Sequence, residues 1–434
     1  MSQRTEQLRL LRELADGAAA LMTEAAATPA AEELAAGERL RRRWGADLVA
    51  AAFTQRELRE RAGTKLAHSD RMWLTREGLE QASGEATATH RADRLSDCLR
   101  PDAVVVDLGC GIGGDTRAMA SRLPGGRVLA LDRDEVHAWC CRANVSAAAD
   151  PTGHSVPIPV ATGDVRDLRL DHLDQAAGAT ALLLDPARRS GGRRTSALNT
   201  QPRLEWATEL TRYVPAVVVK AGPGLPHEAV PPGWSVEYVA VGTGLKEAVL
   251  WSPATRTARV AQPRPGGGPG TARWATVLTG PAHRPAEAAR THTLWADPAT
   301  APAPVRAPGA WLLDPSPAVT RAGAVADLAA ATGCWQIDPA IAFLCGGHPV
   351  ATPFARTYAV AESLPFHERH LREVLHGLDV GAVDIRRRGL AGDVERLRGR
   401  LRLTGERRAL LAMTRWDGRP WAIVAFPAPQ VPAS

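Results

Sequence analysis

Four short apolar runs, each ending in an aspartate, recur between residues 103 and 185. They are Ala103–Val106 with the following Asp107, Arg127–Asp132, Ile158–Asp164 and Ala181–Asp185. Runs of this length and aliphatic content are typical of strands that are buried on both faces of a parallel sheet. Between the first two runs, residues 115–123 have the capping aspartate and the apolar spacing of a helix. The pattern therefore predicts an α/β fold in which strands and helices alternate.

The residues before this region predict helices. Residues 7–14 and 38–45 carry charged and apolar positions at helical spacing, and Thr75 precedes another such segment as an N-cap residue. We therefore expect a helical N-terminal domain over residues 1–90 and the α/β domain over residues 91–255. The apolar segments Ser235–Val241 and Glu247–Trp251 are expected to close the sheet of that domain as an antiparallel hairpin.

The second half of the chain divides by composition. Residues 256–310 are rich in Pro, Gly and Ala and are expected to form a connecting region, with a short strand near residues 273–280. Residues 311–365 are interpreted as a linker subdomain. Over residues 366–428 the apolar spacing predicts helix, strand, helix, strand and strand, which together make a small α+β domain.

The first predicted strand leads into a glycine-rich loop. Asp107, Gly109, Gly111 and Gly113 form the pattern D-x-G-x-G-x-G, and Asp132 ends the next strand. Glycine allows the backbone to approach a ligand closely, and an acid about 20 residues further on binds ribose hydroxyls in doubly wound folds. A glycine triplet also occurs in ordinary tight turns. A nicotinamide or flavin cofactor is the rival interpretation, although its usual pattern is G-x-G-x-x-G.

With these four acid-terminated strands in this order, residues 90–252 resemble the class I S-adenosylmethionine-dependent methyltransferases. The resemblance implies a Rossmann-like, seven-stranded methyltransferase domain with S-adenosyl-L-methionine as its cofactor. It implies cofactor contacts from ten residues, which are Asp107, Gly109, Cys110, Gly111, Gly113, Asp132, Arg133, Asp164, Val165 and Asp185. In the second half, Asp314–Gly323, Phe354–Val360 and the α+β pattern resemble a group of bacterial methyltransferases that carry a C-terminal THUMP-like domain.

The residues after the fourth strand resemble the catalytic motif of nucleic-acid amino methyltransferases, which reads Asn or Asp, Pro, Pro, aromatic. That resemblance implies catalytic roles for Asp185, Pro186 and Arg188, with Lys220 at the end of the following strand as a further candidate. In the motif, the first side chain aligns the target nitrogen with the methyl group, so catalysis is mostly orientation. This sequence has Ala187 in place of the second proline and Arg188 in place of the aromatic residue. Lys220 has an equally plain interpretation as a residue that only ends its strand.

The same loop is strongly basic. Arg188, Arg189, Arg193 and Arg194 lie within seven residues, and such a cluster is expected to bind a polyanion such as an RNA backbone. These four arginines and Lys246 are therefore the candidate substrate-binding residues. The alternative is a solvated surface loop in an arginine-rich protein.

Charge is unevenly distributed along the chain. The 434 residues include 53 basic and 47 acidic side chains, with a formal net charge of +6, and only Lys65, Lys220 and Lys246 are lysines. From Phe366 onward there are 13 arginines against 8 acidic residues, so most of the positive excess lies near the C-terminus. Together with the resemblance to nucleic-acid methyltransferases, this placement of charge makes structured RNA, such as tRNA or rRNA, the expected partner.

Other classes of protein are disfavoured by composition. No run approaches the roughly 18 apolar residues of a membrane span, and Arg4, Glu6 and Arg9 interrupt any signal-peptide core. We expect a cytoplasmic protein without membrane contact. The six cysteines form no C-x-x-C pair, and His367 and His370 have no third ligand nearby, so we expect neither a metal site nor disulfides.

The sequence thus predicts a methyltransferase that acts on structured RNA. Residues 185–188, Asp-Pro-Ala-Arg, also resemble a motif of the RNA uridine-C5 methyltransferases, which need a cysteine nucleophile after the next strand. No cysteine lies between Cys141 and Cys334, which disfavours carbon methylation through a thiol adduct and favours a nitrogen or oxygen acceptor. Two alternatives stay open: a methyltransferase of a small molecule or protein, and a non-catalytic module that binds S-adenosylmethionine or RNA. The target nucleotide, the RNA class and the oligomeric state are also left open.

Overall fold

A computed structural model describes residues 2–123, 125–147, 157–168, 178–186, 189–190, 193–194, 202–255, 271–280, 289–390 and 392–428; for residues 147, 189–190 and 193–194 it describes the backbone alone. The chain divides into two compact units. The first comprises Met1–Ser235, Glu247–Gln262 and Gly280–Arg290, and the second comprises Val236–Lys246, Pro263–Thr279 and Thr291–Ser434.

The first unit begins with helices, as predicted. They are α1 (Gln3–Asp16), α2 (Ala19–Ala27), α3 (Glu33–Trp44), α4 (Ala46–Ala62), α5 (Arg76–Gln81) and α6 (Glu85–Ser96). Thr75 caps α5 by accepting a hydrogen bond from the backbone N–H of Gly78. Leu14, Leu21 and Val49 belong to one core between these helices, and each fully buried side chain of this size contributes about 2 kcal/mol.

A second apolar cluster joins the helices to the α/β part of the same unit. Leu58 of α4 and Leu74 pack with Ile112 of the glycine loop and Val136, which lies in the helix after the second strand. Asn144 strengthens this junction because its side-chain amide accepts a hydrogen bond from Trp73 N–H and donates one to the Ile112 carbonyl. The helical region therefore supports the glycine loop directly.

The α/β part alternates strand and helix, which confirms the predicted fold class. Its elements are β1 (Val104–Leu108), α7 (Gly114–Arg122), β2 (Arg127–Asp132), α8 (Glu135–Ala147), β3 (Val160–Thr162), β4 (Ala181–Leu184), β5 (Arg189–Ser190), β6 (Arg193–Arg194), α9 (Leu204–Leu210), β7 (Ala216–Ala221) and β9 (Gly244–Trp251). Strand β8 (Ser235–Val241) lies between β7 and β9 in the sequence and, apart from Ser235, belongs to the second unit. Neighbouring strands of the sheet follow the order β3, β2, β1, β4, β7 and β9.

The strand directions place one edge of this sheet at the candidate site. Strands β3, β2, β1, β4 and β7 are parallel, with Val105 opposite both Val128 and Ala181, whereas β9 pairs with β7 in the antiparallel direction. The carboxyl ends of the parallel strands therefore meet at the same edge, where ligands bind in open α/β sheets. All four residues of β4 and all six of β7 are buried.

The second unit contains two groups of strands. Strand β8 pairs in parallel with β10 (Arg273–Thr279), at the position predicted for a short strand, and β11 (Arg290–Ala296) neighbours β10. The remaining elements are β12 (Trp311–Pro315), α10 (Pro317–Ala322), α11 (Val325–Thr332), β13 (Trp335–Gln336), β14 (Leu344–Gly346), β15 (Ala355–Pro365), α12 (Glu368–Gly377), β16 (Val380–Arg387), α13 (Val394–Leu401), β17 (Arg407–Trp416) and β18 (Arg419–Pro427).

These later elements form a seven-stranded sheet with the order β13, β14, β12, β15, β18, β17 and β16. Successive residues of a strand point to opposite faces, so Leu410 and Leu411 of β17 enter different cores. Leu411 packs with Leu371 of α12 and Leu401 of α13, while Leu410 packs with Phe343 on the other face. The predicted order of helix, strand, helix, strand and strand after residue 366 is confirmed.

Within the described ranges, no helix has both the length and the apolar content that crossing a bilayer requires.

Candidate functional site

The loop between β1 and α7 is held in a conformation that requires glycine. Gly109, Gly111 and Gly113 have φ angles of +92°, +53° and +89°. A Cβ on Gly109 would lie 2.7 Å from the carbonyl oxygen of Asp185, and one on Gly113 would lie 3.0 Å from Cys141 Sγ. A Cβ on Gly111 would meet no atom within 4 Å. The loop therefore packs tightly against β4 and α8 while one glycine faces open space.

A cavity of about 290 Å³ lies at this edge of the first unit, close to the lower end of the range for small-molecule sites. The glycine loop and the ends of the parallel strands line it, and residues 77, 78 and 80–83 of the helical region form another wall. The lining includes predicted cofactor residues, namely Gly109, Cys110, Gly111, Asp132, Arg133, Asp164, Val165 and Asp185.

Asp132 connects the glycine loop to the end of β2. One carboxylate oxygen accepts a hydrogen bond from Gly111 N–H at 2.8 Å, and the other accepts one from Asp134 N–H at 2.9 Å. Asp164, after β3, caps a short turn through Arg166 N–H and forms a 2.6 Å ion pair with the Arg166 guanidinium. The hydrogen bond from Arg166 lowers the pKa of Asp164 to about 2, so this carboxylate is ionised at neutral pH.

Two predicted cofactor residues lie behind the loop. Asp107 is 1% exposed, and Thr116 Oγ1 donates a 2.6 Å hydrogen bond to its carboxylate. Burial and the neighbouring Asp115 raise the pKa of Asp107 to about 7. Gly113 packs against Cys141, and neither Asp107 nor Gly113 is among the residues that line the cavity. From these positions, Asp107 and Gly113 can support the loop but do not face the cavity.

A buried chain of alternating charges extends from the cavity into the first unit. It runs Asp185, Lys220, Asp115, Arg91 and Glu247, with an ion pair between each residue and the next. Lys220 Nζ lies 2.9 Å from Asp115 Oδ2, and Arg91 Nε donates to Asp115 Oδ1 at 3.1 Å. The side chains come from β7, α6, β9, the start of α7 and the residue after β4.

In the middle of this charge network, the neighbouring charges outweigh the cost of burial. Burial opposes ionisation of Lys220, but the carboxylates of Asp115 and Asp185 outweigh it, so the pKa of Lys220 lies above its ordinary value. Burial likewise opposes the charge of Asp115, yet Arg91 and Lys220 hold the pKa of Asp115 well below its usual range. At Glu247 burial prevails and raises the pKa.

The structure brings together only some of the predicted catalytic and substrate residues. Asp185, Pro186 and Lys220 all line the cavity. Lys246 is exposed, belongs to the second unit and is not a lining residue. Arg188 and the side chains of three arginines lie outside the described residues; these are Arg189, Arg193 and Arg194.

Sequence reasoning missed part of the site. Arg91, Asp115 and Glu247 were not candidates, although each has an ionisable side chain that is buried in the structure. Arg4 lines the cavity from the first helix, where it pairs with Glu77 at 2.6 Å and Asp134 at 3.1 Å. The nearest available signal is Asp115, which directly follows the glycine motif and which the sequence pattern identifies only as a helix cap.

The charge of the cavity fits a cationic nucleoside. Among the described residues that line it are seven carboxylic acids, against the four cations Arg4, Arg133, Arg166 and Lys220. This acidic lining, in a chain of net charge +6, disfavours the pyrophosphate of the rival nicotinamide and flavin cofactors. It favours the sulfonium and ammonium groups of S-adenosylmethionine. In the part of the chain that the structure describes, no group of three or more His, Cys, Asp or Glu side chains is arranged to hold a metal.

Comparison with known families gives two partial matches. Residues 355–427 match the THUMP domain-like family, and residues 5–62 match a domain family of unknown function. The first match agrees with the THUMP-like domain that the sequence predicts near the C-terminus.

Whole-chain comparisons identify relatives. Two uncharacterized S-adenosylmethionine-dependent methyltransferases of Mycobacterium tuberculosis strains are each 36% identical over 370 residues, which cover 82% of this chain and 90% of each relative. The crystal structure of a Porphyromonas gingivalis W83 protein assigned as a methyltransferase has the same fold, with a TM-score of 0.71, 20% identity and coverage of 99% of this chain and 100% of that one. The chain therefore belongs to the S-adenosylmethionine-dependent methyltransferases, and S-adenosylmethionine is its cofactor.

Proposed function

We propose that this methyltransferase modifies a nitrogen, or an oxygen, of structured RNA such as tRNA or rRNA, and that it does so in the cytoplasm. The observation that carries the proposal is the placement of Asp185. Its side chain is 25% exposed, it lines the cavity, and its backbone carbonyl touches the glycine loop. An acid at this position can orient an acceptor that approaches the cofactor.

The residues of the cavity divide by role in this proposal. The N–H groups of the glycine loop and the carboxylate of Asp132 would hold the cofactor's amino-acid and ribose parts, and Asp164 with Val165 would hold the adenine side. Asp107 and Gly113 would act from behind by keeping the loop in place. Arg133 and Cys110 would add contacts at the wall.

Asp185 and Pro186 would face the acceptor. A carboxylate oxygen of Asp185 would accept a hydrogen bond from the acceptor N–H, which directs the nitrogen lone pair, while Lys220 would hold the carboxylate in place. When bound, S-adenosylmethionine would supply the methyl group, and the electron pair of the broken carbon–sulfur bond would stay on its sulfur. The acceptor's N–H proton would then pass to Asp185 and on to water.

The second unit supports an RNA acceptor. It contains the THUMP-like match, and several of its exposed arginines have no acidic partner among the described residues. These are Arg387, Arg396, Arg402 and Arg419, whereas Arg369, Arg398, Arg400 and Arg408 pair with carboxylates at 3.3 Å or less. Unpaired guanidiniums are available for phosphate contacts without loss of an existing ion pair.

Transfer of labelled methyl groups tests the proposal. Purified protein is incubated with labelled S-adenosylmethionine and bulk RNA from a strain that lacks it, and the label in RNA is counted. Asp185→Ala should abolish incorporation, whereas Asp102→Ala, a control at a 71% exposed acid, should not change it. Digestion of labelled RNA then identifies the nucleoside. Cofactor binding without any label in RNA would refute the RNA proposal and redirect the search to proteins and small molecules.

A second experiment tests the RNA-binding surface. Replacement of the four unpaired arginines by glutamine should weaken RNA binding and reduce the slope of log affinity against log salt by about three, since each lost phosphate contact removes about 0.7–0.9. The matched control replaces the four ion-paired arginines by glutamine and should leave the slope nearly unchanged. Equal losses in the two variants would contradict a specific role for the unpaired set.

A further inference from the structure

We propose that Arg91, Asp115 and Glu247 are positioning residues for methyl transfer, because they fix the Lys220 ammonium against Asp185. The inference rests on the proposed function, since it takes Asp185 to be the residue that orients the acceptor. It adds that the orientation of Asp185 is set by a buried chain of side chains, one of which comes from the helical region.

The contacts leave little freedom at each link. The ammonium group of Lys220 donates hydrogen bonds to the carboxylates of both Asp115 and Asp185. Asp115 has one carboxylate oxygen on Lys220 and the other on Arg91, so the two cations hold it from both sides. Arg91 is anchored in turn by Glu247 and by Ser83 Oγ at 2.9 Å. The ammonium is therefore held on one side by Asp115, which is paired with Arg91, and on the other side it contacts Asp185, the residue proposed to meet the acceptor.

Exposure differs sharply between Asp185 and the other four side chains of this charge network. The side chain of Asp185 is 25% exposed, whereas those of Lys220, Asp115, Arg91 and Glu247 are 3%, 9%, 1% and 6% exposed. Only Asp185 is open enough to meet a substrate, so the chain has one functional end. Replacing a buried ion pair by apolar residues of similar volume is often neutral or favourable for stability. Stability alone is thus a weak reason for four buried charges to lead to the half-buried Asp185 at the cavity.

Charge balance guides the choice of variants. Arg91→Met alone would leave Asp115 and Glu247 buried with too little positive charge, and this variant is at risk of unfolding. The double variant Arg91→Met/Glu247→Gln removes one charge of each sign and therefore keeps the net charge of this group of five side chains. A matched control is Arg56→Met/Glu33→Gln, which removes a pair at 2.6 Å around an 8% exposed arginine in the helical region.

The first readout follows the lysine directly and requires no acceptor. The protein has three lysines, so ¹⁵N-lysine labelling gives at most three ammonium signals, and Lys65→Arg and Lys246→Arg identify the signal of Lys220. In the unaltered protein the buried, ion-paired ammonium should give a slowly exchanging signal. The network variant should shift it and speed its exchange at least tenfold, and the control should leave it in place.

The second readout is kinetic. The network variant should retain a KM for S-adenosylmethionine within threefold and lose at least tenfold in kcat, whereas the control should keep both values. Arg91→Lys, which retains the charge but loses the two-sided contact of a guanidinium, should give an intermediate kcat and provides a second folded variant.

An unchanged Lys220 signal in the folded network variant would overturn the inference, as would an unchanged kcat or an equal loss in the control. Absence of methyl transfer to RNA in the unaltered protein would instead count against the proposed function, because the lysine signal does not depend on an acceptor.

Discussion

Two alanine substitutions in the glycine loop should separate its structural role from its ligand-binding role. At Gly109, φ is +92° and the new Cβ would lie 2.7 Å from the Asp185 carbonyl oxygen, which is backbone and cannot move away freely. At Gly111, φ is +53° and the new Cβ would meet nothing within 4 Å, although the residue lines the cavity. The two sites thus share backbone strain but differ in the space around them.

The magnitudes follow from these differences. A left-handed backbone costs an alanine about 1–2 kcal/mol, which applies to both variants. Gly109→Ala adds an overpacking cost of about 1–3 kcal/mol, so its free energy of unfolding should fall by roughly 2–5 kcal/mol. Gly111→Ala should lose only about 1–2 kcal/mol, but its methyl group intrudes on the cavity and should weaken S-adenosylmethionine binding at least tenfold.

Urea unfolding measures the stability of each variant, and titration calorimetry at a temperature where both are folded measures cofactor affinity. Gly109→Ala should be the less stable protein, and Gly111→Ala should show the larger loss of affinity relative to its loss of stability. If Gly109→Ala were as stable as the parent, the close approach of the loop to Asp185 would be refuted. If Gly111→Ala bound the cofactor normally, the cavity could not be the cofactor site.

Two further predictions concern charge. The pKa of Asp107 is raised to about 7, so the free energy of unfolding should fall by up to roughly 4 kcal/mol as the pH rises from about 4 to 7. Urea unfolding of Asp107→Asn should lack this decrease. The same pH dependence in the variant would argue against a raised pKa of Asp107. The acidic cavity should bind cationic S-adenosylmethionine more tightly than its neutral demethylated product, and calorimetry should show this preference shrinking between 0.05 and about 1 M salt, where screening is strong. A preference that does not change with salt would contradict the electrostatic explanation.

Many strands up to residue 251 could be predicted because their signals are local. The bounds predicted for β2 and β8 agree with the structure, since a short aliphatic run flanked by turn residues identifies a buried strand without knowledge of its partners. The loop conformation could also be predicted from the glycine motif, because glycine adopts a positive φ easily and the loop has one at three alternate residues.

The buried charge chain could not be predicted from sequence. Arg91 and Glu247 are 156 residues apart, and in a chain with 53 basic residues an arginine that will be buried looks like any solvated one. Burial also distinguishes Asp107 from Asp132 in a way that the sequence does not show. Both acids end apolar runs, yet only Asp132 reaches the cavity, because the carboxylate of Asp107 is held behind the loop by Thr116.

The pairing of strands in the second unit could not be predicted for a related reason. The sequence indicated a linker subdomain over residues 311–365 and a separate α+β pattern after it, and strand partners that lie far apart in the chain leave no local mark. In the structure, strands from both segments share the seven-stranded sheet.

Strand β15 has a practical consequence for work on the C-terminal region. Tyr358 lies opposite Pro427 of β18 on one side and opposite Leu312 of β12 on the other, so β15 is an interior strand. The THUMP-like match begins at residue 355 and leaves out β12. A fragment cut to the match would expose the β15 backbone as a new sheet edge, which invites aggregation. A recombinant fragment intended for RNA-binding studies should therefore start ahead of Trp311.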